Sequence, residues 1–139
     1  MVLPLATAAL LIFSCAPKKE VSAPKIFKPV YSMPVKGKLT PSGRGFLIRT
    51  ECGSYIRAVA PGKVVYSGRD IGSYGWVVIV RQEDGYTSVY GGLTRSWVRS
   101  GEKVRIRQVI GEAGRMRGSC GVYYELRNAL GDPVAPVLR

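Results

Sequence analysis

The chain has 139 residues, enough for one small domain with an extension, and 46% of them are hydrophobic, which supports a real core. Its 21 Lys and Arg against 9 Asp and Glu leave a net charge of +12, so the surface attracts polyanions: nucleic acid, anionic lipid or anionic cell-wall polymer. There is no histidine at all, so the commonest general base and the commonest metal ligand are both missing and most hydrolytic mechanisms are excluded in their usual form.

Residues 1–14, MVLPLATAALLIFS, carry no charge. The run is too short for a membrane anchor, which takes about 20 apolar residues, and suits the core of an export signal. Ser14-Cys15 followed by Ala-Pro-Lys-Lys-Glu resembles a bacterial lipobox, in which Cys15 becomes acylated. Phe13 is bulky for that pattern and no Lys or Arg precedes the run, so a buried first strand with an ordinary cysteine stays open. Residues 15–33 read as a lipid-anchored flexible tether and residues 34–139 as the folded domain.

The segment Pro34–Leu39 opens that domain, and the small and charged residues of Thr40–Gly45 predict a loop before Phe46–Arg49. Tyr55–Val59 alternates apolar and polar residues as a half-buried strand does. Three runs then form the centre of the chain: Lys63–Ser67, Trp76–Arg81 and Tyr86–Tyr90, rich in Val, Ile, Tyr and Trp and separated by Gly-rich or Asp-Gly punctuation. They predict a β-meander, with Trp76–Val80 apolar on both faces and Asp84-Gly85 making the tight turn.

Farther on, Trp97–Val104 reads as a short strand, a turn and a second strand, followed by Gln108–Gly111. Gly114–Gly121 predicts a Gly- and Arg-containing loop, Val122–Arg127 a final strand, and Asn128–Leu138 a closing segment. With 17 Gly, 9 Pro and no sustained 3.6-residue apolar period, the expected class is all-β, a compact and mainly antiparallel sheet. Cys52 and Cys120 either pair in an oxidising compartment or remain two small buried thiols. A bridge would close a loop of about 70 residues and contribute about 4 kcal/mol.

Six pieces in register, PVKGKLT, RAVAPGKVVYSG, YGWVVIVRQEDGYTSVYGGL, GEKVRIRQVIGEAG, VYYELR and DPVAP, resemble the LytM or lysostaphin-type zinc endopeptidase domain of cell-wall metabolism over Pro34 to Leu138. Active members hold zinc with a His and an Asp four residues on, and with the second His of a His-x-His. The resemblance places the first pair on Gly43 and Leu47, the His-x-His on Gly121 and Tyr123, and a further catalytic His on Gly92. None of these supplies a zinc donor except a phenol, which is a poor one near neutral pH because its reference pKa is about 10. A Ser or Cys nucleophile lacks a His to activate it.

The resemblance therefore implies a non-enzymatic protein with no metal and no cofactor. It implies a groove rebuilt as a contact surface by Gly43, Leu47, Gly92, Gly121 and Tyr123, rimmed by Arg49, Arg81 and Arg127. Degenerate members of the family activate a separate peptidoglycan amidase, so the implied partners are an amidase or other cell-wall hydrolase, peptidoglycan and, through the lipid anchor, a membrane. The implied place is the bacterial cell envelope, facing the periplasm. A direct peptidoglycan-binding or structural envelope module is the alternative. A lipoyl or biotinyl carrier lacks a hairpin-tip Lys, and the dispersed basic residues of an exported protein do not point to nucleic acid.

Overall fold

A computed structural model describes residues 27–72, 74–116 and 118–139. The expected export signal and acylated Cys15 lie outside these residues. Twelve strands and no helix are assigned in the described part: β1 (Val30–Tyr31), β2 (Lys38–Ser42), β3 (Gly45–Arg49), β4 (Tyr55–Arg57), β5 (Gly62–Gly68), β6 (Trp76–Gln82), β7 (Thr87–Ser96), β8 (Lys103–Val104), β9 (Val109–Met116), β10 (Ser119–Arg127), β11 (Pro133–Val134) and β12 (Val137–Leu138). The class is all-β, as the sequence predicts.

The meander forms as expected. β5, β6 and β7 pair antiparallel in sequence order, and the turn between the last two is built on Gly85 at φ 92°, where an L side chain would be strained. Asp84 completes it by accepting the Tyr86 amide on Oδ1 at 3.0 Å. Val77, Val78 and Val80 are almost fully buried, so β6 is covered on both faces over most of its length.

Two expected loops are strands instead. The chain continues extended through Thr40–Ser42 and pairs with Gly45–Leu47, leaving only Gly43-Arg44 as the turn. Pro41 is tolerated because β2 lies at the edge of the sheet, where a missing N–H costs no ladder bond. Likewise β9 runs on to Met116 and β10 begins at Ser119, so most of the Gly114–Gly121 segment is a hairpin. Trp97–Arg99, expected as a strand, lies outside the strands, and β4 ends at Arg57 rather than Val59.

β10 pairs with β3, β7, β9 and β11. Alternate residues Val122, Tyr124 and Leu126 enter the core with Ile48, Val78, Val80 and Tyr90, while Tyr123, Glu125 and Arg127 face the other way. A chain of polar groups crosses the interior: Ser88 Oγ is 2.7 Å from the Tyr124 hydroxyl and also donates to Gln82 Oε1, whose amide nitrogen donates to Tyr31 at 3.0 Å. Tyr31 in turn donates to Asp84 at 2.6 Å. Every member has a partner, which is the condition for burying such groups without a large desolvation cost. The parallel pair β1–β12 brings Tyr31 into the core, ahead of the boundary expected at Pro34.

Cys52 and Cys120 are joined in a disulfide with Cα atoms 5.0 Å apart. It ties the segment after β3 to the start of β10 across 68 residues of chain. We expect the double substitution Cys52→Ser, Cys120→Ser to lower unfolding free energy by about 4 kcal/mol in denaturant titrations. An unchanged midpoint would refute a stabilising bridge.

Candidate functional site

The face of the sheet away from the core is organised in cross-strand rows. Leu47 of β3 stands directly opposite Tyr123 of β10, and Tyr123 stands opposite Gly91 of β7. The next row is Ile79, Val89 and Glu125; the one beyond is Arg81, Thr87 and Arg127. Directly opposed residues on one face bring their Cβ atoms to about 5 Å, so the pairing fixes which side chains meet.

Gly43, Leu47 and Tyr123 line one cavity of about 430 Å³, together with Arg44, Tyr74 and Met116. Gly92 lines an adjoining cavity of about 510 Å³ that shares Tyr74 and Met116 and carries Arg69 and Arg115 on its wall. A more apolar hollow of about 250 Å³, floored by Val77, Ile79 and Val89, opens on the other side of Tyr74 and Tyr123. These two rings lie 5.5 Å apart and tilted by 35°, so Tyr74 roofs Tyr123.

The remaining predicted positions sit differently. Gly121 is buried and paired with Arg49 and Gly114, behind the groove rather than in its wall. A Cβ built there would collide with the Ile48 carbonyl oxygen. Arg81 is exposed one row past Ile79 and contributes to none of the three cavities. Arg49 lines a separate shallow cleft with Lys36 and Glu51. Gly92, at φ 75°, is the bend at which β7 leaves β10 and joins β9, and a Cβ there would overlap the Met116 sulfur.

Glu125 and Tyr74 were not singled out from the sequence. The period-2 pattern of VYYELR puts Glu125 on the same face as Tyr123 and would have found it. Tyr74 sits in a Gly-rich connection that carries no periodic signal. Glu125 is only 6% exposed. Its Oε1 accepts the Tyr123 hydroxyl at 2.6 Å, and its Oε2 stands 2.5 Å from Arg127 Nη2, ion-paired though off the line of a hydrogen bond. Burial first, and then the hydrogen bond to the Glu125 carboxylate, raises the Tyr123 phenol well above its ordinary pKa.

These residues do not fit a zinc ion. Gly43 and Leu47 bring no donor atom, and the Tyr123 oxygen is held protonated against Glu125. Among the described residues no three His, Cys, Asp or Glu side chains converge. The groove instead offers a phenol, a leucine, a methionine and a second tyrosine, framed by arginines. Arg44, Arg69 and Arg115 make no ion pair among the described residues.

Two outcomes follow from this geometry. Tyr31, Tyr123 and Tyr124 are held above the usual phenol range and Tyr90 is pushed up to about 12, each chiefly by burial. A raised folded pKa gives stability that is intact below about pH 10, the unfolded value, and is lost as pH climbs toward the folded one. We expect stability to fall by about 1.4 kcal/mol per pH unit for each such phenol above pH 10, with the phenolate absorbance rising in step with unfolding. Full ionisation of all 8 tyrosines at pH 10–11 in a still folded chain would contradict it. Gly121→His should cost about 3 kcal/mol, because the ring must part β3 from β10, read as a lowered denaturation midpoint.

Comparison with known proteins agrees with this architecture. A sequence model of Peptidase family M23 matches residues 42–136. The chain is 34% identical over 95 residues to a protein named lipoprotein NlpD/LppB homolog of Pseudomonas aeruginosa, covering 68% of this chain and 32% of that one. It is 32% identical over 85 residues to the murein hydrolase activator NlpD of Escherichia coli, covering 60% of this chain and 22% of the relative. It thus spans about a third or less of the length of these two relatives. A crystal structure of a putative peptidase M23 from Pseudomonas aeruginosa superposes with a TM-score of 0.69 at 25% identity, over 81% of this chain and 53% of that one. By the family match and by its fold, the chain belongs to peptidase family M23.

Proposed function

We propose that this protein is a non-catalytic regulator of peptidoglycan hydrolysis whose groove docks a cell-wall hydrolase, an amidase first among them. The observation that carries the reading is the direct opposition of Leu47 and Tyr123. The two positions at which the family resemblance expects an Asp and a His ligand meet across one cavity, whose wall also carries Arg44, Glu125 and Arg127. Leu47 and the Tyr123 phenol, already bonded to Glu125, offer a metal nothing, and they form an apolar and aromatic patch inside a charged frame. It suits a partner's apolar anchor, since a tyrosine buries much area with few rotors to freeze.

The relatives' names, which include a murein hydrolase activator and a lipoprotein, support the same assignment. Acylation at Cys15 would hold the domain at a membrane of the cell envelope, with the groove facing the periplasm and the hydrolase. Activation by docking requires the groove to prefer the hydrolase's active state, because a ligand that binds both states equally shifts nothing. The arginines framing the groove favour a partner segment with acidic residues beside its anchor.

Dye-labelled sacculi provide the test. With the protein and a purified amidase from the same organism, dye release should exceed the sum of the separate reactions at least tenfold. Leu47→Lys and Tyr123→Ala should each abolish the excess while leaving the circular dichroism spectrum unchanged. Release by the protein alone, lost on chelation and regained with zinc, would overturn the non-catalytic reading.

A further inference from the structure

The sequence contains 2 tryptophans, and both line a single cavity of about 470 Å³ outside the groove walls that carry Leu47 and Tyr123. Trp76 is half-buried, and its indole nitrogen donates to Ser67 Oγ at 3.1 Å. Ser67 and Ser96 stand 2.9 Å apart, and each donates to the Val98 carbonyl at 2.8 Å. These hydroxyls are fully engaged in holding the wall, so they fix the Trp76 ring.

Trp97 forms the other side and is 51% exposed. It is nonetheless held in place on three counts. Its indole nitrogen donates to Glu112 Oε2 at 3.0 Å; the Tyr55 ring meets it edge-on, with centroids 6.3 Å apart; and the Arg95 guanidinium lies 5.9 Å from its centroid. An exposed side chain normally keeps its rotamer freedom, and a ligand must then freeze it at a cost. Here that cost is already met inside the fold.

The mouth of the cavity is polar. Arg99, Ser100 and Glu102 are exposed there, and Arg99 has no ion-pair partner among the described residues. Apart from the buried Val98, the lining has no aliphatic side chain. The apolar surface of the cavity is therefore the two indoles, with hydroxyl and charged groups around them. A pyranose ring has the complementary chemistry: a C–H face that stacks on an indole, and a rim of hydroxyl and amide groups that need charged or hydroxylated neighbours.

We propose that the cavity between Trp76 and Trp97 binds a sugar unit of a glycan chain. The choice of an N-acetylated hexosamine as the probe rests on the peptidoglycan reading above; the geometry of the cavity does not. The two tryptophans are also the reporters. Titrating the full chain with chitohexaose should give a saturable change in tryptophan emission. Trp97→Ala should weaken binding at least tenfold in calorimetry, and Arg99→Ala, at a fully surface position, several-fold. Tyr123→Ala, in the groove, should leave it unchanged.

No saturable response to chitohexaose overturns the proposal, as does undiminished affinity in both Trp97→Ala and Arg99→Ala. No hydrolase is present in this assay. Failure of the docking reading would leave the titration intact, and failure of the titration would leave hydrolase activation intact.

Discussion

The pairing of β10 between β3 and β7 is the constraint on which the rest of the structure depends. One strand supplies three core residues to one side, Val122, Tyr124 and Leu126, and three groove residues to the other, Tyr123, Glu125 and Arg127. Because side chains alternate with a period of two, a one-residue slip of register would exchange the two sets. It would place a carboxylate and a guanidinium in the core and take Leu47 away from Tyr123. The bond between Tyr124 and Ser88 acts against such a slip, since it would break and leave a buried phenol without its partner.

Two glycines set the shape of the groove by different means. Gly92 bends β7, so that one strand pairs with β10 in its first half and with β9 in its second. Gly121 lets β3 approach β10 more closely than a side chain would permit. Both lie at positions where the family resemblance expects histidines. Neither is a spacer left by a missing side chain, because the bend and the close approach each use the absence of a Cβ.

Much of this was legible in the sequence. The meander from Lys63 to Tyr90 announced itself through β-branched runs and one Asp-Gly turn, while the resemblance implied only that Leu47 and Tyr123 share a groove, not that they stand directly opposite each other. The misread segments share one cause. Thr40–Gly45 and Gly114–Gly121 are rich in Gly, Pro, Ser and Arg, residues that signal loops when considered locally. Their extension is imposed by partners distant in the chain: β3 aligns Pro41 at an edge, and β10 aligns Gly114 in the interior. Conversely, Trp97–Arg99 has the composition of a strand, yet its aromatic ring is used at the surface. Tyr74 is invisible to pattern reading because its place over Tyr123 depends on how a Gly-rich connection folds back.

The disulfide has a consequence for when the groove exists. Cys52 follows the strand that bears Leu47 and Cys120 opens the strand that bears Tyr123, so the covalent link spans the two walls of the site. A domain of this size has a net stability of about 5–15 kcal/mol, and the bridge accounts for a large share of it. Without the bridge the two walls are held by the pairing of β3 with β10 alone. The geometry of the groove is thereby tied to the redox state of two thiols: what oxidises Cys52 and Cys120 also fixes Leu47 against Tyr123.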